Sequence, residues 1–147
     1  MVSIEDARRL SELEHGLATL ATTRPDGSVQ LTVVNAGVVK HPIRGGDTPA
    51  LVARGGTRKL THLRRRPAAT LLWRAGWSWV AVEGTAELCG PADPLEGVDT
   101  EEMRRLLRTV AYAAGSHPED WTEYDRVAAS EGRTVVLLNP RRIYQNP

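Results

Sequence analysis

The chain has 147 residues, of which 41% are hydrophobic and 25% are charged, and this predicts one globular domain over 1–147. Its formal net charge of +1 excludes a global electrostatic field as the main attraction to nucleic acid or to a membrane. The single cysteine, Cys89, excludes an intrachain disulfide and a cysteine-based metal cluster, and the lack of an apolar run suited to a signal peptide or a bilayer span predicts a cytoplasmic protein.

Periodicity and breaker residues divide the first half into a helix, a hairpin and one further strand: helix 3–14, strands 17–23 and 28–39 around the turn 24–27, loop 40–49 and strand 50–54. Ser3 is the candidate cap of the first helix, and Gly16 ends it. The turn reads Arg-Pro-Asp-Gly, in which proline presets φ and glycine accepts a positive φ.

In the second half of the chain, the pattern predicts three helices and three strands: helix 57–66, strands 68–74 and 77–89, loop 90–98, helices 99–114 and 116–129, and strand 133–139. Ser116 and Glu119 have the spacing of a capping box, and Pro140 is expected to end the last strand. About six strands in antiparallel hairpins, with helices outside, predict a closed or nearly closed small barrel, because closure removes exposed strand edges.

The segment from Arg54 to Lys59 is the most informative one for function. Gly55-Gly56 allows a close approach of the backbone, and Thr57, Arg58 and Lys59 add donors where a helix begins. Free amides and cations together have the chemistry of a phosphate site. A glycine turn before a solvated basic helix is the alternative.

Alternation along 28–39 predicts a strand with two unlike faces. Val29, Leu31 and Val33 lie on one side, which is expected to be the core side, and Gln30, Thr32 and Val34 lie on the other, more polar side. A polar strand face of this kind can hydrogen-bond the edge of a heterocycle. A solvated face has the same pattern.

Trp77 and Trp79 lie opposite the Val80/Val82 face of the predicted strand 77–89. Two large aromatic side chains indicate a ring-stacking surface or a subunit interface, with packing under a helix as the alternative. Four scattered histidines show no zinc-ligand spacing, and no protein-borne nucleophile or acid–base pair stands out. The catalytic residues are therefore unknown, and a cofactor would supply the chemistry of an enzyme.

Taken together in chain order, these strands, turns and motifs resemble those of the flavin and deazaflavin oxidoreductases related to pyridoxamine 5′-phosphate oxidase. The resemblance covers nearly the whole chain and rests on four stretches: Leu17–Thr22 with Asp26-Gly27, Gln30–Thr32, Thr57–Lys59 with Leu63–Pro67, and Gly76–Ala86. It is greatest with the actinobacterial branch that uses coenzyme F420.

This resemblance implies a six-stranded split β-barrel and a homodimer with two cofactor sites at the subunit interface. The strand with Gln30, Thr32, Val33 and Val34 would lie along the tricyclic ring. The helix start at 57–59 would hold the phosphate, and Trp77 and Trp79 would lie near the pocket. The arginines, Arg54 among them, suit a polyglutamate tail.

The leading hypothesis is an oxidoreductase that transfers a hydride between coenzyme F420 and a small-molecule substrate. An FMN-dependent oxidase or reductase and a non-catalytic carrier of F420 or flavin are the alternatives. A nucleic-acid-binding role for the helix 57–66 is disfavoured by the near-neutral charge and by its flanking strands. The substrate is not readable, and loops 37–49 and 90–98 are expected to shape its pocket.

Overall fold

The computed structural model describes residues 1–146. Within them, four helices and six strands follow one another: α1 (Ile4–Leu13), β1 (Leu17–Thr23), β2 (Val29–Lys40), β3 (Asp47–Ala53), α2 (Arg58–Arg65), β4 (Ala68–Ala75), β5 (Ser78–Cys89), α3 (Thr100–Ala113), α4 (Trp121–Ser130) and β6 (Thr134–Gln145). The predicted order of elements is confirmed, and most boundaries agree to within one residue. No helix in this part of the chain is long and apolar enough to cross a bilayer.

The six strands close into one antiparallel barrel in the order β1-β2-β3-β6-β5-β4. This confirms the predicted six-stranded antiparallel barrel with helices at its periphery. β1 pairs with β2 along its whole length, and its middle residues pair with β4 on the other side. Since each strand has two neighbours, closure removes the edges on which another chain could pair.

Apolar side chains fill the barrel interior. Leu20, Leu71 and Trp73 are fully buried there, and α1 and α2 add Leu10 and Leu60 to the same cluster. The indole N–H of Trp73 donates to the Ala36 carbonyl at 3.1 Å, which satisfies the polar atom of this buried ring. The interior is therefore packed core.

A second core lies outside the barrel, where α3 packs against β2, β3 and β6. Val110 of α3 and Val135 of β6 are fully buried in it, and Tyr124 of α4 is buried beside them. Arg108 of α3 pairs with Asp125 of α4, with Nε to Oδ1 at 2.9 Å. The two helices thus cover one side of the barrel.

The expectation for the faces of β2 is wrong. Leu31 and Val33 are 66% and 72% exposed, whereas Thr32 and Val34 are half-buried. The register with β1 is the reason: Thr32 lies opposite Leu20, which points into the packed interior. Val29, Leu31 and Val33 therefore point away from the core, and Val34 points towards it.

Two further boundaries correct the sequence analysis. The predicted loop 40–49 shrinks to residues 41–46, because β2 continues to Lys40 and β3 begins at Asp47. Pro140 does not end β6, which continues to Gln145. The β5–β6 register shifts between Glu83 and Gly84, so Pro140 is tolerated at an irregularity of the ladder.

The start of α4 also differs from the prediction. The predicted capping box at Ser116 and Glu119 is not used, and the helix begins at Trp121. Asp120 is the cap, and its carboxylate accepts the N–H groups of Thr122 and Glu123 at 3.0 and 3.2 Å. An aspartate that satisfies two amides overrides the more distant serine signal.

Candidate functional site

A groove of about 460 Å³ opens where β2, β3, α2 and α3 meet, and we call it the cationic groove. Five predicted site residues line it together: Val33, Val34, Arg54, Thr57 and Lys59. The remaining walls come from residues that sequence reasoning did not single out: Asn35, Val52, Ala53, Ala111, Ala114, Gly115, Ser116, Tyr124 and Arg133.

The N-terminus of α2 leaves backbone donors free at this groove. Thr57 is the N-cap residue, but its hydroxyl donates to the Arg54 carbonyl at 3.0 Å and caps no amide. No acidic residue lies in the first turn. Because the first N–H groups of a helix carry its positive dipole end, this helix start has the electrostatics of an anion site.

The loop that leads into α2 is held against the turn after α4. The Gly55 N–H donates to the Glu131 carbonyl at 3.0 Å, and a Cβ at Gly55 would lie only 3.0 Å from the Gly132 oxygen. Gly56 has a φ of +80°, which strongly favours glycine. The backbone path that brings Arg54 and Thr57 to the groove thus favours glycine at both positions, through close packing at Gly55 and a positive φ at Gly56.

Two of the groove's guanidinium groups share one carboxylate. Glu131 Oε2 lies 2.9 Å from Arg133 Nε and 3.4 Å from Arg54 Nε. Burial tends to lower the pKa of Arg133, but hydrogen bonds with Glu131 and Tyr124 outweigh it and raise the pKa above its usual value. Arg133 is accordingly a fixed positive charge of the groove.

Tyr124 forms an unpredicted wall of the cationic groove. Its ring is buried, and the Arg133 guanidinium lies 5.2 Å above the ring centroid. Burial raises the pKa of the Tyr124 phenol, so the hydroxyl is neutral at physiological pH. The inward position of Tyr124 was readable from the helix periodicity, but the groove beside it depends on where α4 docks.

Beside the groove, four exposed apolar side chains lie on the outer surface of β1 and β2, and no described helix covers them. We call Leu17, Val29, Leu31 and Val33 the apolar face, and they are 49% to 72% exposed. Exposed apolar side chains that lie together are typical of an interaction surface. The β1–β2 register makes Leu17 of β1 a diagonal neighbour of Val33, and Leu31 and Val29 follow Val33 at alternate positions of β2.

A second groove of about 440 Å³ opens on the outside of β1, β4, β5 and β6. Val29 of the apolar face lines it, as do Thr70, Glu83, Arg141 and Arg142. Glu83 accepts from Arg142 at 3.3 Å. The apolar face therefore extends from the cationic groove at Val33 to the second groove at Val29.

The other predicted site residues lie outside the cationic groove. Gln30 and Thr32 point inward, and the Thr32 hydroxyl is buried without a hydrogen-bond partner among residues 1–146. Arg58 is exposed on α2. Trp77 is 93% exposed in the β4–β5 turn, and Trp79 makes an edge contact with Tyr144 at 6.0 Å between ring centroids.

Neither of the loops expected to shape a substrate pocket lines the grooves. Residues 41–46 join β2 to β3 at the end of β3 opposite Arg54, about 20 Å away along a seven-residue strand. Residues 90–98 are tied to α2 by the bidentate pair of Arg64 with Asp93, at 2.8 and 2.7 Å. In this structure, the first segment connects two barrel strands and the second packs against α2.

Comparison with known proteins gives one family and several related structures. The family model described as pyridoxamine 5′-phosphate oxidase matches residues 4–146. A conserved hypothetical protein of Mycobacterium tuberculosis, Rv2991, is 22% identical with a TM-score of 0.67, over 99% of this chain and 84% of that chain.

Two further solved structures have flavin-related descriptions. An F420 reductase is 14% identical with a TM-score of 0.59, over 87% of this chain and 88% of that one. A pyridoxamine 5′-phosphate oxidase-related, FMN-binding protein of Nostoc punctiforme is 12% identical with a TM-score of 0.61, over 97% and 81%. At such identities these structures show a shared fold.

Proposed function

The chain belongs to the pyridoxamine 5′-phosphate oxidase family, and on that premise we propose that it is an oxidoreductase that binds a phosphate-bearing flavin-type cofactor, coenzyme F420, in the cationic groove. One observation carries the proposal. The uncapped N-terminus of α2, without an acidic residue in its first turn, opens beside Lys59 and Arg54 in a groove of about 460 Å³.

The residues of the groove fit the phosphate end of such a cofactor. The free N–H groups of α2 would hold the phosphate, with Lys59 as a nearby point charge, and the Thr57 hydroxyl would donate to it only by leaving the Arg54 carbonyl. Arg54 and Arg133 add positive charge beside the phosphate, and this charge would also favour the acidic tail of F420 over a neutral one. Arg58, exposed on the same helix turn, would extend this attraction.

The ring of the cofactor would lie on the apolar face. Val33 belongs both to the cationic groove and to that face, so a ligand with its phosphate at α2 reaches Leu31 along β2. When bound, a reduced deazaflavin supplies a hydride to an electron-poor small molecule. This chain's part is to bind and orient the ring on β2 and to keep water away from it.

A second copy of the chain is the partner that we propose for the apolar face. Each chain alone leaves Leu31 and Val33 open to water beside two shallow grooves. A homodimer through this face would bury the exposed side chains and would close the grooves into deeper sites at the interface. In such a dimer, the exposed Trp77 of one subunit could contact the cofactor site that both subunits form.

The function is tested by titrating the purified protein with F420 and with FMN and following the cofactor's fluorescence. We expect tight binding of F420 and weak binding of FMN, followed by oxidation of reduced F420 when a suitable acceptor is present. The reverse preference would make the protein an FMN-dependent oxidase or reductase. F420 binding without turnover across an acceptor screen would favour a carrier, and binding of neither cofactor would refute the proposal.

A further inference from the structure

Glu131 is placed to compete with a bound phosphate. It is the C-cap residue of α4, and its carboxylate pairs with Arg54 and Arg133, both of which line the cationic groove. Its carbonyl also accepts the Gly55 N–H at 3.0 Å. One residue thus holds the backbone of the loop before α2 and the side chains of two groove cations.

The two arginines are held unequally. Arg133 lies 2.9 Å from Glu131, is 26% exposed and packs on the Tyr124 ring, so its position is fixed by several contacts. Arg54 lies 3.4 Å from the same oxygen and is 70% exposed. An exposed ion pair at this distance contributes little, so Arg54 can leave Glu131 at small cost.

We propose that Glu131 is a positioning residue that holds Arg54 in the ligand-free groove and releases it to the phosphate of the incoming cofactor. This inference rests on the proposed function, since it takes a phosphate-bearing cofactor as the ligand. The negative charge of Glu131 opposes every anion that enters the groove. A small free anion gains nothing else there, whereas a cofactor also gains contact between its ring and the apolar face. Glu131 therefore weakens the binding of a phosphate alone, and only a ligand that also contacts the apolar face compensates for this cost.

The test compares Glu131→Gln, which removes the charge at constant size, with Glu131→Asp, which keeps the charge. Glu123→Gln is the matched control, because Glu123 lies on α4 and pairs with Arg126, which does not line the groove. Dissociation constants are measured for F420 and FMN, and for riboflavin as a ring without phosphate. Thermal unfolding confirms that each variant is folded.

We expect Glu131→Gln to bind the phosphate-bearing cofactors about three- to tenfold more tightly at low salt, with riboflavin unchanged. The gain should shrink as salt screens the charge, and it should be smaller in the Arg54→Ala background, where only the repulsion by Glu131 is relieved and no Arg54 guanidinium is released. Glu131→Asp should bind as the wild type does. Unchanged or weaker binding by Glu131→Gln, or an equal change for riboflavin, would overturn the inference.

Binding of inorganic pyrophosphate distinguishes a failure of this inference from a failure of the proposed function. Its binding is followed as the rise in melting temperature of the wild type and of Glu131→Gln. A larger rise in Glu131→Gln together with no flavin binding would refute the cofactor and retain the role of Glu131. Flavin binding with equal pyrophosphate responses in the two proteins would retain the cofactor and refute the role of Glu131, and no response to either ligand would refute both.

Discussion

Replacing Glu87 by glutamine should destabilise the fold. The Glu87 carboxylate is ionised in the folded protein and lies where the β2–β3 turn, β5 and β6 meet. Oε1 of Glu87 accepts from Asn139 Nδ2 at 2.7 Å, from His41 Nε2 at 2.9 Å and from Arg44 Nη2 at 2.5 Å. His41 Nδ1 accepts the backbone N–H groups of Ile43 and Arg44, so its Nε2 carries the proton that it donates. The carboxylate therefore connects the β2–β3 turn to β5 and β6.

The magnitude follows from the pKa of Glu87. Burial alone would raise it, but the hydrogen bonds from Asn139, Arg44 and His41 outweigh burial and lower the pKa from 4.5 to about 2. At about 1.4 kcal/mol for each pKa unit, this difference corresponds to about 3 kcal/mol of unfolding free energy at pH 7. Glu87 is 29% exposed, so solvent screening reduces the expected loss in Glu87→Gln to about 2 kcal/mol.

Urea unfolding of wild type and Glu87→Gln between pH 7 and pH 2.5 measures this loss. Because folding lowers the pKa, the contribution is complete above pH 4.5 and is lost as the pH falls towards 2. The stability difference should therefore shrink over that range. Glu123→Gln, whose carboxylate pairs with Arg126 on one exposed helix face, should leave the unfolding free energy close to that of the wild type at every pH. A difference that stays constant with pH would refute the reasoning.

Three other predictions concern the site and its scaffold. Lys59→Ala should weaken F420 binding at least about tenfold in fluorescence titrations, because a point charge at the phosphate is lost, whereas Arg126→Ala should leave it unchanged. Leu31→Asp should shift the protein to monomers in sedimentation analysis, and a monomeric wild type would contradict the proposed interface. Gly84→Ala should destabilise the fold by about 3 kcal/mol or more in urea unfolding, since its Cβ would lie 2.2 Å from the Asn139 oxygen, and wild-type stability would contradict that steric argument.

The order and type of the elements could be predicted because local signals agree with the tertiary structure. Strand β1 is bounded by Gly16 and by the turn that begins at Arg24, and its predicted range 17–23 is the observed one. Helix α2 likewise lies between a glycine pair and Pro67. Where a breaker is absorbed by pairing, as at Pro140, the local signal misleads, because the β5–β6 register supplies a position that needs no ladder hydrogen bond.

The part of the candidate site that is easiest to predict lies within one segment, and Val33 and Val34 of the predicted strand join it. Arg54, Thr57 and Lys59 are neighbours in sequence, and their chemistry is legible without a fold. Tyr124 and Arg133 reach the same groove from α4 and β6, and nothing local indicates that they meet Arg54. The inverted faces of β2 have the same origin, since alternation identifies two faces but only the pairing with β1 decides which one is core.

The packed interior of the barrel determines where a large ring can bind. Leu20, Leu71 and Trp73 fill the space that wider barrels keep for ligands, and both described grooves open on the outer surface. A planar cofactor must therefore lie outside, on strands whose outward side chains are apolar. An apolar outer surface remains in contact with water unless another helix or chain packs on it, and no helix within residues 1–146 packs on Leu31. For the proposed hydride transfer, water exclusion would therefore depend on the proposed dimer, and variants of the apolar face should lose dimer contacts and cofactor affinity together.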